Sequence, residues 1–539
     1  MQARRLGTLV LAAAMLQGTL QGQQQPAPPA GAATSLTALD YYEIQQVYAR
    51  VNHGLDTAED AGGAFARAFT DDGLLVTPDG TRHQGRDVLA AFARQDPDGR
   101  KGPTNVGHYT TNVALDVTPA GVVGRGTLLE ATLLPPAAGA RGPARAITEA
   151  SSFVDALVRT NEGWRIATRT LARAGAAAPP VAAPTTRPPA AAARPSMASP
   201  LSAQDYADIT QIFALFGYAF DSAADAGYQW ADLYTPDGVF VAGSVVATMR
   251  GRETLAAFAA GRLAFPNGFV TLTPGPGTPH NPLAIAHILT DLLITPTPDG
   301  AVAKAYRLNA RIGDDGRATL APGGVYHVLL ARTSGGWRFK ENWYIGPGGA
   351  VQDGAKRFLA TVVKDGAPTT GATPATGAAP GSGRDRMPAL TLDAEDDAAI
   401  RQLYARFSHA VASGAGDTPL SHLFTSDGVL VDTWTGASHR GPAALDGLAG
   451  AARAGQEGQG AVRDTEFVWT VKLEATPQGA FGKAYMMTGT PQTPGTPVVM
   501  TNGGQYWDDL VKTSEGWRFR KRVFQRSSQV PPPDTRQGR

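Results

Sequence analysis

The chain has 539 residues, room for three or four domains, and its 48 basic and 47 acidic side chains leave a net charge of +1. That balance points to neither a nucleic acid nor a membrane surface as partner. With no cysteine there is no disulfide, thiolate nucleophile, zinc–thiolate site or lipoprotein anchor, and the nine histidines show no metal-binding spacing. Neither a GxxxxGK[ST] phosphate loop nor a GxSxG elbow occurs.

The first 22 residues place Arg4 and Arg5 before an apolar run from Leu6 to Leu16, the layout of a secretory signal peptide. A secreted or periplasmic protein is therefore expected. No later stretch is long and apolar enough to span a membrane as a helix. Residues 23–34 form a Gln/Pro/Ala tail without apolar periodicity, expected to be disordered.

The first unit, 35–173, opens with DYYEIQQVYARVNHGLD, in which Ile44, Tyr48, Val51 and Leu55 share one helical face. An aromatic (Phe69), a TDDG turn, a short β-run and a second helix starting near Gly85 follow. Two hairpins complete the unit, the first turning at Gly121 and the second ending in Gly-Trp-Arg at Trp164. After a Pro/Ala linker at 174–200, the same order returns in 201–365, with Ile209, Phe213, Phe216 and Phe220 on the helix face. A second linker, 366–389, precedes a third copy at 390–528, with Ile400, Tyr404, Phe407 and Val411. Residues 529–539 are a polar, Pro-rich tail. The repeat spacing, 165 and then 191 residues between the matched isoleucines, is too long for a solenoid and implies tandem domains. Helices first and antiparallel strands after read as α+β, a curved sheet wrapped on helices around a conical apolar cavity. The final-strand tryptophans Trp164, Trp337 and Trp517 are expected to plug sheet against helix. The short basic run Arg518 to Arg522 reads as a solvated strand edge, and His53, His83, His280, His409, His422 and His439 read as exposed loop residues.

The ordered pattern of helix with a closing acid, F-T-x-D-G turn, G-x-x-x-L-x-x-F helix, hairpins and final Gly-Trp-Arg resembles the SnoaL-like branch of the NTF2-like superfamily. It covers nearly all of each unit. The resemblance implies three tandem NTF2-like cone domains, each a curved, mostly antiparallel sheet packed on N-terminal helices. The superfamily includes scytalone dehydratase-like and ketosteroid isomerase-like enzymes, polyketide cyclases and non-catalytic binding modules.

Two positions carry the chemistry. An acid follows the last apolar residue of the opening helix: Asp56 in the first unit and Asp221 in the second, with Ala412 in the third. Ten residues before each hairpin-turn threonine stands His108, His287 or, in the third unit, Glu466. Resemblance to the dehydratase-like members implies Asp–His pairs facing the cavity: Asp56 with His108, and Asp221 with His287. Such an imidazole can move a proton at carbon next to a carbonyl, and the carboxylate can fix its tautomer. The plainer roles, a helix-end acid and a hydrogen-bonded strand histidine, stay open. Tyr326 and His327 are neighbours on one strand, so only one of them can enter the cavity; Tyr218 and Tyr234 are further substrate-binding candidates, with core packing as the alternative. The reading that follows is a cofactor-independent lyase or isomerase acting on a small hydrophobic hydroxy-carbonyl compound in the first two units. The alternative is a non-catalytic module that binds small apolar ligands or associates with other domains through its sheets, within the chain or between copies.

Overall fold

A computed structural model describes residues 35–95, 105–134 (except 120), 144–173, 201–242, 247–264, 271–272, 286–313, 317–346, 392–413, 419–448 (except 434), 465–490 and 498–526. The expected signal segment, both linkers, the tails and His280 lie outside the described residues.

Each domain begins with a 20-residue helix: α1 (Ala38–Thr57) in domain 1, α4 (Ala203–Ser222) in domain 2 and α7 (Ala394–Ser413) in domain 3. Capping boxes start the first two, with the Thr37 and Ser202 hydroxyls taking the amides of Asp40 and Asp205. The same acids accept the indole N–H of the final-strand tryptophan: Trp164 to Asp40 at 3.1 Å, Trp337 to Asp205 at 3.0 Å, and Trp517 to the matching Asp396 at 2.8 Å. Each tryptophan thus ties the last strand to the start of the first helix, as its place in the sequence suggests. In domain 1 the chain continues through α2 (Gly63–Ala66) and α3 (Arg86–Arg94), and in domain 2 through α5 (Tyr228–Ala231) and α6 (Arg252–Ala259). Gly62 and Gly227 sit at φ of +83° and +88°, where a Cβ would lie 2.2 and 2.1 Å from the carbonyl oxygens of Ala90 and Ala256. Only glycine lets the following helix approach that closely.

The strands of domain 1 are β1 (Phe69–Val76), β2 (Arg82–Gln84), β3 (Val106–Thr118), β4 (Gly121–Leu134), β5 (Ala144–Thr160) and β6 (Gly163–Arg173). They pair in the order β2-β1-β6-β5-β4-β3, antiparallel except that β1 runs parallel to β6. Domain 2 repeats this with β7 (Tyr234–Ala242), β8 (Ala247–Arg250), β11 (Ala286–Thr297), β12 (Gly300–Ile312), β13 (Ala318–Thr333) and β14 (Gly336–Ile345). A two-residue pair, β9 (Leu263–Ala264) with β10 (Thr271–Leu272), stands apart from that sheet. Domain 3 has β15 (Phe424–Asp432), β16 (Ser438–Arg440), β17 (Thr465–Thr476), β18 (Gly479–Thr490), β19 (Val499–Thr513) and β20 (Gly516–Arg526). The concave face of each sheet wraps the domain's own helix. Among the described residues a single ladder bridge, Leu320 to Arg145, links the sheets of domains 1 and 2.

The domains close into a ring with approximate threefold symmetry. Each opening helix packs on its own sheet and also on the first long strand of the next domain: α1 on β11, α4 on β17, α7 on β3. One glutamine per helix makes the link. Gln46 donates to the Leu292 carbonyl at 3.2 Å and accepts from the Ile294 amide at 2.6 Å. Gln402 donates to the Val113 carbonyl at 3.0 Å and accepts from the Leu115 amide at 2.7 Å. Gln211 makes the corresponding pair with the amide and carbonyl of Leu473. These backbone groups need outside partners because each strand is bulged just before them, at Asn112, Asp291 and Thr470, with φ of 57°, 52° and 53°. The bulged side chains in turn cross the axis. Asn112 Oδ1 accepts the Val468 amide at 3.2 Å, Asp291 Oδ1 the Thr110 amide at 3.3 Å, and Thr470 Oγ1 the Leu289 amide at 3.1 Å. Around this knot the outer faces of the three sheets share one apolar core, which includes Tyr109, Ile147, Ile288, Tyr306, Phe467 and Tyr485. Sheet association is therefore intramolecular and three-way.

Asp291 yields a test. Burial pushes its carboxyl up to about 7. Unfolded, an aspartate titrates near ~3.9, so the fold holds a proton that the unfolded chain has already lost. Its stabilising contribution is full below about pH 4 and is lost as pH rises towards about 7. Asp291→Asn keeps the acceptor oxygen and matches Asn112 of domain 1. Urea unfolding between pH 4 and 8 should show a decline for the wild type, up to about 4 kcal/mol, that is much flatter in the variant.

Candidate active site

Asp56 and Asp221 are the penultimate residues of α1 and α4, which the amphipathic stripe drives into the cone. His108 and His287 stand on the first long strands, opposite Glu130 and Asn309 in the pairing register; Glu466 of domain 3 pairs with Thr488 at the matching place. The structure brings both Asp–His pairs together. Asp56 Oδ1 lies 2.5 Å from His108 Nδ1, and Oδ2 accepts the His108 amide at 3.0 Å. Asp221 bonds His287 Nδ1 in the same way and accepts its amide at 2.9 Å. Both acids are 1% exposed. A carboxylate that grips both the ring and the amide of one residue fixes ring rotation and leaves Nε2 directed away from the acid.

In domain 1 that arrangement opens on a cavity of about 150 Å³, lined by Val51, Leu55, Phe65, Phe92, His108 and Arg169 among others. Glu130 and Glu149 stand on the same wall, with Glu130 Oε2 3.7 Å from His108 Nε2. Arg169 is 2% exposed and forms a buried ion pair with Asp155, Nη2 to Oδ2 at 2.7 Å. Domain 2 is more crowded. The Phe220 ring meets His287 edge-on with centroids 5.0 Å apart, and Phe258 and Trp230 back Phe220. Here Phe213, Val328 and Asn342 replace the Tyr48, Asp155 and Arg169 of domain 1.

The other candidates separate. Tyr326 enters the cone of domain 2, 2% exposed, packing on Phe216 and Tyr344 and accepting from Arg307 Nη1 at 3.1 Å. Burial pushes its phenol up to about 12. His327 points to the opposite face, in register with Lys304 and Trp343; burial first and Lys304 second hold it down at about 3. Tyr234 is buried in the same cone, with its hydroxyl 3.3 Å from Asn342 Nδ2. Tyr218 does not face the cone: it stacks on Tyr485 of domain 3 with centroids 4.5 Å apart.

Several plain expectations are corrected as well. His53 is a buried helix residue bonded to the Asp291 carbonyl at 2.8 Å, and His409 bonds the Asn112 carbonyl at 2.7 Å. Both spend an imidazole on a bulged strand that turns its carbonyl away from its own sheet. His83 and His439 lie on β2 and β16, His83 against the Phe92 ring at 4.6 Å, while His422 is exposed in a 3-10 turn. The basic run of β20 is not a solvated edge throughout, since Arg522 is 0% exposed and paired with Asp508 at 2.8 Å. Arg169, Arg307 and Arg522 were not legible as cone residues, because arginine alternating along a strand looks like a solvent face until the sheet closes over it.

A SnoaL-like domain model matches residues 36–170, 202–342 and 393–523, most of the chain in three copies. The chain belongs to the SnoaL-like family. None of the curated proteins matches it by sequence. Similar solved structures each correspond to about one SnoaL-like domain. An NTF2-like protein with a cystatin-like fold from Novosphingobium aromaticivorans is 22% identical, with 29% of this chain and 88% of that one covered and a TM-score of 0.22. ActVI-ORFA from Streptomyces coelicolor is 22% identical over 25% and 98%, with a TM-score of 0.21. A Mycobacterium tuberculosis protein of unknown function is 24% identical over 24% and 69%, also at 0.21. Two of the three SnoaL-like domains here carry the Asp–His pair. The third holds Glu466 in its place, bonded by Ser408 Oγ and Tyr506 OH at 2.7 Å each, with burial raising its carboxyl.

The Asp221 carboxylate organises three donors: the His287 amide, the His287 ring and the Tyr485 hydroxyl at 2.6 Å. Asp221→Ala strands all three in a buried site, at about 1–3 kcal/mol each. A loss of at least about 3 kcal/mol in urea unfolding is expected. A loss under about 1 kcal/mol would mean that water replaces the carboxylate.

Proposed function

We propose that domains 1 and 2 catalyse acid–base lyase or isomerase chemistry without a cofactor, on a small hydrophobic hydroxy-carbonyl compound, with domain 1 the better formed site. The observation that carries this reading is the Asp56–His108 pair at the wall of the domain 1 cavity. Asp56 holds Nδ1, so proton transfer falls to Nε2, which has Glu130 Oε2 3.7 Å away at the cavity lining. Nε2 takes the proton from the carbon next to the substrate carbonyl, and the electron pair moves into an enolate. The Arg169 guanidinium, on the same wall, offers positive charge to the enolate oxygen. The enolate then collapses, the bond to the β-hydroxyl breaks, and the imidazolium returns its proton to the departing oxygen, releasing water and an enone. Returning the proton to carbon instead gives isomerisation. The apolar walls, Val51, Leu55, Phe65 and Phe92, exclude bulk water and favour a hydrophobic substrate.

The same step is assigned to His287 in domain 2, with Tyr326 and Arg307 among the polar groups of its cone. In domain 3 Ala412 and Glu466 stand in place of the pair, so no Asp–His couple forms there. The full chain is incubated with a panel of cyclic and aryl β-hydroxy-ketones and enone absorbance is followed. His108→Gln should lower the rate by about 10²-fold or more at the domain 1 site, leaving what domain 2 supplies. Equal rates for wild type and the His108→Gln, His287→Gln double variant, with tight binding of the same ketones, would make the protein a binding module instead.

A further inference from the structure

Each candidate acid is approached by a tyrosine from the next domain in the ring. Tyr485 lies on β18 of domain 3, and its hydroxyl donates to Asp221 Oδ2 at 2.6 Å. Its ring stacks on Tyr218, one helical turn before Asp221, so the phenol is aimed by a contact across the interface. Burial first, and then the Asp221 charge, keep Tyr485 protonated and thus a donor. The matching residue in domain 2 is Tyr306, on β12. Its ring packs on His53, the counterpart of Tyr218, with centroids 4.2 Å apart. The Tyr306 phenol sits in the field of Asp56 without closing a well-aligned hydrogen bond. At the third interface the acid position is Ala412 and the tyrosine position, in domain 1, is Thr127. Acid and neighbouring phenol are therefore present together twice and absent together once.

We infer that Tyr485 is a positioning residue supplied by domain 3 to the Asp221–His287 pair, and that Tyr306 of domain 2 serves Asp56–His108 more loosely. This rests on the reading of those pairs as acid–base groups. A carboxylate that accepts from an imidazole and from a phenol divides its charge between them. The phenol thereby sets how strongly the acid pulls on Nδ1–H and so how basic Nε2 is. On this account domain 3, which has no pair of its own, is the second half of the domain 2 site. The other charged or titratable groups near Asp221 are Tyr218 on its own helix, Lys483 from domain 3, and Arg307 and Tyr326 from domain 2.

The test needs no substrate. The full chain is labelled with ¹⁵N in its histidine rings, and the Nδ1–H resonances are assigned by His108→Gln and His287→Gln. Tyr485→Phe should move the His287 Nδ1–H signal downfield, because Asp221 then bonds the imidazole alone, and should leave His108 in place. Tyr306→Phe should move His108 by a smaller amount and leave His287 in place. Tyr404→Phe, a buried tyrosine that touches neither acid, should move neither. Should Tyr485→Phe not fold, 3,5-difluorotyrosine at 485 keeps the ring and strengthens the donor, and should move His287 upfield. Unchanged His287 in the folded Tyr485 variant, or equal movement of both histidines, overturns the inference. Absence of a carboxylate-bonded Nδ1–H in the wild type would instead sink the Asp–His pair itself.

Discussion

The ring depends on one backbone irregularity made three times. A bulge in the first long strand of each sheet puts a residue other than glycine into the left-handed region, at Asn112, Asp291 and Thr470. The extra residue breaks the ladder and strands amides and carbonyls that the strand's own partner cannot reach. Such groups are costly when buried, and the helix of the preceding domain meets them with Gln46, Gln211 or Gln402. The bulged side chain satisfies an amide across the axis at the same time. Each domain is thus both donor and recipient, and the contact pattern is head to tail. With a rotation that closes after three steps, it gives a ring rather than an open array.

The same geometry holds the candidate sites. The histidine or glutamate of each cone stands four residues before the bulge, and the acid lies at the far end of the helix that carries the glutamine. Both therefore hang from elements clamped by a neighbouring domain. Movement of α4 relative to β17 would shift Asp221 against Tyr485 and His287 together. The chemistry of each cone is consequently fixed by two interfaces, one with the domain's own sheet and one with its neighbour, and a cone excised from the chain would lose one of them.

Much of this was legible in the sequence, and the rest was not for definite reasons. The helix stripe at Ile44, Tyr48, Val51 and Leu55 and the count of ten residues from hairpin turn to histidine located matched positions in the repeats, and the family resemblance implied that Asp56, His108, Asp221 and His287 pair in the cavity. Period-two alternation separates Tyr326 from His327 but does not say which is inside; Phe216 and Tyr344 decide that. For Tyr218 the core-packing alternative holds, against Tyr485, while His53 and His409 were misplaced because a second burial face on a helix is readable only once another domain covers it. The bulges leave almost no trace. Asn112 and Asp291 belong to residue types that tolerate positive φ, but Thr470 does not advertise it. Tyr485 and Tyr306 face away from their own cones, so nothing within one repeat links them to an acid two helical ends away in another.

The three cones differ by recombining two polar groups. One is the Asp–His pair. The other is a buried Asp–Arg ion pair with a tyrosine against it: Asp155, Arg169 and Tyr48 in domain 1, and Asp508, Arg522 and Tyr404 in domain 3. Domain 1 holds both groups, domain 2 only the first and domain 3 only the second. A buried ion pair is poor evidence of stabilisation, since desolvation offsets its attraction, and Phe213, Val328 and Asn342 show that a cone of the same outline closes without it. Its presence beside His108 therefore bears on polarity more than on stability. It places a guanidinium, already paired with Asp155, at the lining of the cavity that His108 also borders. In domain 2 Phe220 packs on Phe258 and Trp230 beside His287, Asn342 stands at the place of Arg169, and Arg307 bonds Tyr326. The two cones with an Asp–His pair thus present their cations from different strands, β6 in one and β12 in the other. On the proposed acid–base reading, a carbonyl bound in each would be turned differently relative to the imidazole, and the two domains would take differently shaped substrates.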